Sequence, residues 1–222
     1  MNNLAKVIGL GGRRLNKALA MHYLFSEQGK PKYIEFNGTQ YVALDLPFTK
    51  DTVCRIKFNM TIVTGNCIMG SSPAFRFFNA AGRAYLDWGR GSAFGGDRIN
   101  GGSIPAEQTF YIEFGDNYVK NMDTGNTIIS GNEYGDIIRY DNNPICIMGN
   151  PYQKCAQGIV YLAEIIQNGE TVRSLLPDIG AAGELGFCDT ITGKFYSVID
   201  TATASTMSLR MTEEEVTEDD TV

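Results

Sequence analysis

The sequence predicts an all-β protein, a sandwich or a barrel, flanked by a short helical arm and an acidic tail. Three observations lead there. Long stretches alternate apolar and polar residues with period two, as strands with one buried face do. The chain carries 25 glycines, 11 tyrosines and 12 phenylalanines in 222 residues, a supply of both tight turns and pleat-filling rings. Beyond residue 30 a helical period is almost absent.

Residues 1–30 form the arm. Leu15, Leu19 and Tyr23 fall at i, i+4 and i+8, with Arg13, Arg14 and Lys17 on other faces, which predicts a short amphipathic helix. Gly9, Gly11 and Gly12 separate it from the first residues; their spacing does not match a dinucleotide-binding turn, and no βαβ pattern follows. The domain proper spans 31–207. Its clearest strand is 53–63, where Cys54, Ile56, Phe58, Met60 and Ile62 alternate with Arg55, Lys57, Asn59 and Thr61. Residues 109–114 repeat the pattern with Phe110, Ile112 and Phe114. Further strands are expected at 33–36, 41–44, 67–69, 75–78, 84–88, 118–122, 127–129, 144–148, 159–166, 172–176, 185–188 and 195–198. Asn37-Gly38, Asn168-Gly169 and Thr192-Gly193 mark turns between strand pairs. The glycine-rich stretch 89–102 reads as a long loop, the kind of segment that often carries function. The tail, 208–222, has little to bury.

Composition narrows the function classes. Apolar residues at 43% and charged residues at 20% are ordinary for a globular domain. No apolar run has the length of a membrane span, and the first residues do not form a signal peptide, so assembly in a cytoplasm is expected. Five widely spaced cysteines (Cys54, Cys67, Cys146, Cys155, Cys188), without a Cys-x-x-Cys pair, indicate neither a disulfide framework nor a zinc site. The net charge of −6 is uneven: the first 32 residues are basic and the tail is acidic, a distribution suited to terminal arms that meet partners or each other. The acidic total argues against nucleic acid.

Tyr33-Ile34-Glu35-Phe36-Asn37-Gly38-Thr39-Gln40-Tyr41, together with Ile165, Asn168-Gly169, Val172-Arg173, Leu176-Pro177, Gly183, Gly186, Asp189 and Gly193-Lys194-Phe195-Tyr196, resembles the opening and closing motifs of a known family. That family is the concanavalin A-like (laminin-G-like, lectin/glucanase) domain found in bacteriophage and prophage structural proteins. The resemblance covers about residues 31–200; its two end motifs are moderately specific and its middle is generic. It implies a two-sheet antiparallel jelly roll whose first and last strands lie together, hiding sheet edges. It also implies a phage origin, which composition and strand pattern alone do not.

Chemistry is sparse. Fold relatives of this kind include glucanases with carboxylates spaced along one strand, but no such run occurs; Glu113 and Asp116, and Glu133 and Asp136, are three apart and point to opposite faces of a regular strand. His22, the single histidine, lies in the arm, where a catalytic triad would have to recruit it from outside the core. Laminin-G-like relatives sometimes bind calcium at a sandwich rim, for which Asp97, Asp116, Asn117, Asp123, Asp141, Asn142 and Asn143 supply hard oxygens; the same residues suit turns. The best small-ligand candidate combines Tyr85, Asp87, Trp88, Arg90, Phe94, Asp97 and Arg98, since sugar sites pair an aromatic face with planar hydrogen-bonding groups. Core packing for Tyr85 and Trp88, and solvation for the arginines, is the plainer role.

The expectation is therefore a non-catalytic virion structural protein without a cofactor: a head decoration, head fibre or tail-associated part. It would be assembled in the host bacterial cytoplasm as a dimer or trimer and anchored to other virion proteins by Arg13, Arg14, Leu15, Lys17, Leu19 and Tyr23. The alternatives are a carbohydrate-binding adhesin that reads host-surface or mucus glycans and, further off, a glycoside hydrolase.

Overall fold

Alternation in the sequence becomes alternation of buried and exposed side chains. In Val53–Met60, Cys54, Ile56, Phe58 and Met60 are buried while Val53, Arg55, Lys57 and Asn59 stay partly exposed. Withdrawing each large apolar side chain from water is worth about 1.5–3 kcal/mol, so the pattern fixes which face turns inward. The computed structural model describes residues 31–61, 64–72, 75–88, 99–116, 118–131, 142–151 and 155–201, without the side chains of residues 64, 65, 88, 99 and 100. The expected helical arm, Ile62 and the acidic tail lie outside the described residues.

In chain order the strands are β1 (Ile34–Asn37), β2 (Gln40–Pro47), β3 (Val53–Met60), β4 (Thr64–Ser72), β5 (Phe75–Ala80), β6 (Arg83–Trp88), β7 (Ile99–Ser103) and β8 (Thr109–Gly115). There follow β9 (Tyr118–Asn121), β10 (Thr127–Ser130), β11 (Pro144–Ile147), β12 (Gln157–Gln167), β13 (Glu170–Ile179), β14 (Leu185–Asp189), β15 (Phe195–Ser197) and β16 (Ile199–Asp200). They form two antiparallel sheets. The nine-stranded sheet runs β10-β9-β8-β3-β12-β13-β14-β15, with β1 also paired to β12; the seven-stranded sheet runs β16-β2-β11-β4-β5-β6-β7.

One core joins the inner faces. Phe58 of β3 meets Phe77 of β5 edge-on at 6.3 Å between ring centroids, and Phe77 reaches Phe114 of β8 at 5.0 Å. Phe48, just after β2, stacks on Phe75 at 5.6 Å. At its closing edge the chain crosses between sheets. β15 pairs with β14, then β16 pairs with β2, and Thr201 donates its backbone N–H to the Thr39 carbonyl. The last strand thus lies beside β2 rather than beside β1, which pairs with β12 in the other sheet.

Two glycines sit where the fold asks for glycine, one for its backbone conformation and one for close approach. Gly169, with Asn168, turns β12 into β13 with positive φ at both residues (80° and 53°), the two-residue hairpin turn expected from Asn-Gly. Gly158 has φ 153°, and a Cβ there would lie 2.2 Å from the Asn59 carbonyl oxygen. One expectation is corrected. Residues 99–102, read as the end of a glycine-rich loop, belong to β7, which pairs with β6. The glycines serve close approach here: a Cβ on Gly101 would sit 2.3 Å from the Ile128 carbonyl oxygen of β10, in the opposite sheet. The short strand β16 was also not anticipated.

Candidate functional site

The outward face of the seven-stranded sheet carries the most concentrated aromatic and charged group near the expected ligand residues. β5 and β6 pair with Arg76 opposite Asp87 and Phe78 opposite Tyr85. Phe75, Phe77, Ala84 and Leu86 are buried in the core, so alternation turns Arg76, Phe78, Tyr85 and Asp87 to the other face. Arg76 Nε donates to Asp87 Oδ2 at 2.6 Å, with the two side chains only 18% and 12% exposed. The guanidinium carbon lies 4.3 Å from the centre of the Phe78 ring, which stacks on Tyr85 at 5.0 Å and 16°. Next to Arg76 on β4 is Gly70, where a Cβ would meet the Arg76 Cβ at 2.7 Å. The result is a stacked row, the Arg76 guanidinium on a buried Phe78 and Phe78 against a partly exposed Tyr85, with Asp87 holding the arginine.

Of the residues expected here, the structure brings Tyr85 and Asp87 together. Trp88 ends β6 with its backbone paired to Phe75, and its side chain lies outside the description, as do Arg90, Phe94, Asp97 and Arg98. Sequence reasoning missed Arg76 and Phe78. The only available signal was a lone arginine inside the aromatic run 75–78, and it acquires meaning only once β5 is known to pair with β6.

The same face holds three buried thiols. Cys146 and Cys155 cluster with Tyr41 and the partly buried Ala43, apart from the main core, and Cys155 makes a parallel backbone bridge to Cys67. Burial pushes the Cys146 thiol up to about 12 and Cys155 to about 11, and raises Cys67 and Cys54 as well. Burial disfavours the thiolate at all four, which suits packing rather than nucleophilic thiols.

A second polar constellation lies on the outward face of the nine-stranded sheet. Arg55 of β3 sits opposite both Glu113 of β8 and Glu164 of β12. Its Nε donates to Glu113 at 2.7 Å, and Nη1 is 3.6 Å from Glu164. Tyr118 donates to Glu113 at 3.0 Å and Tyr111 to Glu164 at 3.3 Å; burial, then the nearby carboxylate, raises both phenols. With Lys120 opposite Glu113, charge alternates in sign across four strands. Here two carboxylates do share one face, from different strands, and both accept hydrogen bonds from Arg55 or a tyrosine.

A third group ties the sheets together. Asp45 of β2 accepts from the Tyr196 hydroxyl of β15 at 2.5 Å, from Arg173 Nη2 of β13 at 3.0 Å and from Lys194 Nζ at 2.9 Å. The Tyr196 hydrogen bond, followed by Lys194 and Arg173, holds the Asp45 carboxyl far below the usual carboxylate range. Burial, then donation to Asp45, pushes Tyr196 up to about 12. Asp189, with no side-chain exposure, accepts from the backbone N–H groups of Ser174 and Ile191 and from the Thr192 hydroxyl, and lies 3.6 Å from Arg173 Nε.

Among the described residues, no three His, Cys, Asp or Glu side chains are grouped so as to hold a metal ion, and no helix is long and apolar enough to cross a membrane. Of the oxygens expected for calcium, Asp97, Asn117 and Asp141 lie outside the described residues. Compared with known proteins, the sequence matches no family model and no curated protein.

Proposed function

We propose that this chain is a non-catalytic concanavalin A-like jelly-roll module of a bacteriophage particle, a head decoration, head fibre or tail-associated part assembled in the host cytoplasm. The supporting observation is that residues carrying the family resemblance do a common physical job. Arg173, Asp189, Lys194 and Tyr196 converge with Asp45 to close one sheet on the other. Such a closed body, with charged arms at both ends, suits a part that must stay folded outside a cell while an arm holds it in place. The carboxylates that share a sheet face, Glu113 and Glu164, are engaged as acceptors in a cross-strand ladder, which fits a structural role better than acid–base work. The test is incorporation. Full-length chain should join particles, and a chain lacking residues 1–30 should stay folded and fail to join. Normal incorporation of the truncated chain would remove the anchoring role.

A second role is favoured by the stacked Arg76–Phe78–Tyr85–Asp87 row: adhesion to glycans. A sugar ring would stack its C–H face on Tyr85, with polar groups of the flanking ion pair fixing its hydroxyls. Trp88, Arg90, Phe94, Asp97 and Arg98 would complete the contact. A glycan array with the wild type, Tyr85→Ala and Trp88→Ala decides this: binding lost in both variants supports the site, and unchanged binding in both removes it.

A further inference from the structure

The outward face of the nine-stranded sheet is not uniformly polar. Ala163 of β12 and Leu175 of β13 are a register pair, both buried inward, so their neighbours Leu162 and Leu176 turn outward side by side. Leu176 sits opposite Cys188 of β14, and Cys188 opposite Phe195 of β15. An apolar row therefore crosses four strands. Tyr33 and Tyr161 extend it past the end of β13, their rings 6.0 Å apart and edge-on. Of the four exposed large apolar side chains among the described residues, Tyr33 (41%) and Leu176 (37%) both belong to this row. A continuous apolar row on an outward face calls for a cover.

We propose that the cover is the chain's own N-terminal segment, with Leu15, Leu19 and Tyr23 laid against this row. The described chain begins at residue 31, two residues before Tyr33, so the preceding 30 residues enter at the edge of the row. Nine residues separate Tyr23 from Tyr33, a tether that reaches about 30 Å. From β12 to β15 the row is only about 14 Å wide, three strand spacings. Charge agrees at the β1 and β13 end of the row, where Glu35 and Asp178 border its outward face and suit the Arg13, Arg14 and Lys17 of the segment, while Lys57 stands opposite Leu162 at the β3 side. A short tether holds the segment at an effective concentration in the millimolar range, which favours it over the same segment of another copy. The seat is independent of any particle, and anchoring through the arm would require the arm to leave it.

Cys188 is a natural reporter, being the one cysteine of five that is partly exposed. In full-length protein, Leu176→Asp and, separately, Leu19→Asp should speed both alkylation of Cys188 and tryptic cleavage at Arg13, Arg14 and Lys17. The expected change is at least about tenfold, the factor that corresponds to roughly 1.4 kcal/mol. Combining the two substitutions should add little, because either one already unseats the segment. Leu176 lies on the surface of the body, so its substitution should lower the unfolding midpoint by no more than the loss of the seated segment does, the same shift that Leu19→Asp gives, and the comparison stays valid. Protection in the wild type should not depend on protein concentration. Equal rates in the wild type and both variants would overturn the proposal, and so would protection that grows with concentration, which would place a second copy on the row.

Discussion

Replacing Asp45 with alanine tests the closing network directly. Three donors converge on this carboxylate, from Tyr196, Arg173 and Lys194. They do not contribute equally. Lys194 is half exposed, so its ion pair is worth little in water. Arg173 keeps Asp189 at 3.6 Å and the Val172 carbonyl. Tyr196, by contrast, is buried, and without Asp45 its hydroxyl loses its acceptor and meets only the Arg173 donor. An unsatisfied buried donor costs about 1–3 kcal/mol, but the Asp45 side chain is 40% exposed and water can reach the gap it leaves, so Asp45→Ala should lose about 1–2 kcal/mol. In a chain of this size that is a fall in Tm of roughly 2–8 °C. Urea unfolding should show a lower midpoint at an unchanged slope. Tyr196→Phe removes the stranded hydroxyl, so the double variant should be at least about 1 kcal/mol more stable than the sum of the single losses implies. Acid should erase the difference. Because folding lowers the Asp45 value, its stabilisation is complete above the ordinary carboxyl value of 3.8 and is lost as pH falls through the lowered folded value. A loss below about 0.5 kcal/mol for Asp45→Ala, or strict additivity with Tyr196→Phe, would refute the assignment of the network as the lock between sheets.

Other substitutions probe the rest of the fold. Gly158→Ala places a methyl 2.2 Å from the Asn59 carbonyl oxygen at a φ of 153°, and should cost more than about 2 kcal/mol or abolish soluble expression; a midpoint within experimental error of the wild type would contradict it. Arg55→Met breaks the charge ladder and should cost about 1 kcal/mol at low ionic strength and less in high salt, checked by urea unfolding in both. A thiol reagent at mild pH should modify Cys188 first in the native protein and all five cysteines only after denaturation; native reaction at Cys67 or Cys146 would contradict their burial.

How much of this was legible in the sequence depends on range. The inward face of β3 followed from alternation alone, because burial of Cys54, Ile56, Phe58 and Met60 is a local consequence of the pleat. The Asn168-Gly169 hairpin was equally local, since few residues accept positive φ twice in succession. What failed was whatever depends on strands distant in sequence. Glycines 101 and 102 looked like loop residues until β10 was found packed against them. Arg76 and Phe78 belong to the candidate site only because β6 lies beside β5 in that register. Glu113 and Glu164, 51 positions apart, share a face because β3 runs between their strands. A search for carboxylates along one strand passes over such a pair.

The most direct test of a role in a phage particle is immunogold electron microscopy of particles from the source culture, with an antibody raised to residues 31–207. Gold confined to heads or to tails is the predicted result, and it would also name the part. Particles that carry no label, in a culture where the antibody detects the protein, would contradict a place in the virion and leave a glycan-binding protein outside the particle as the alternative.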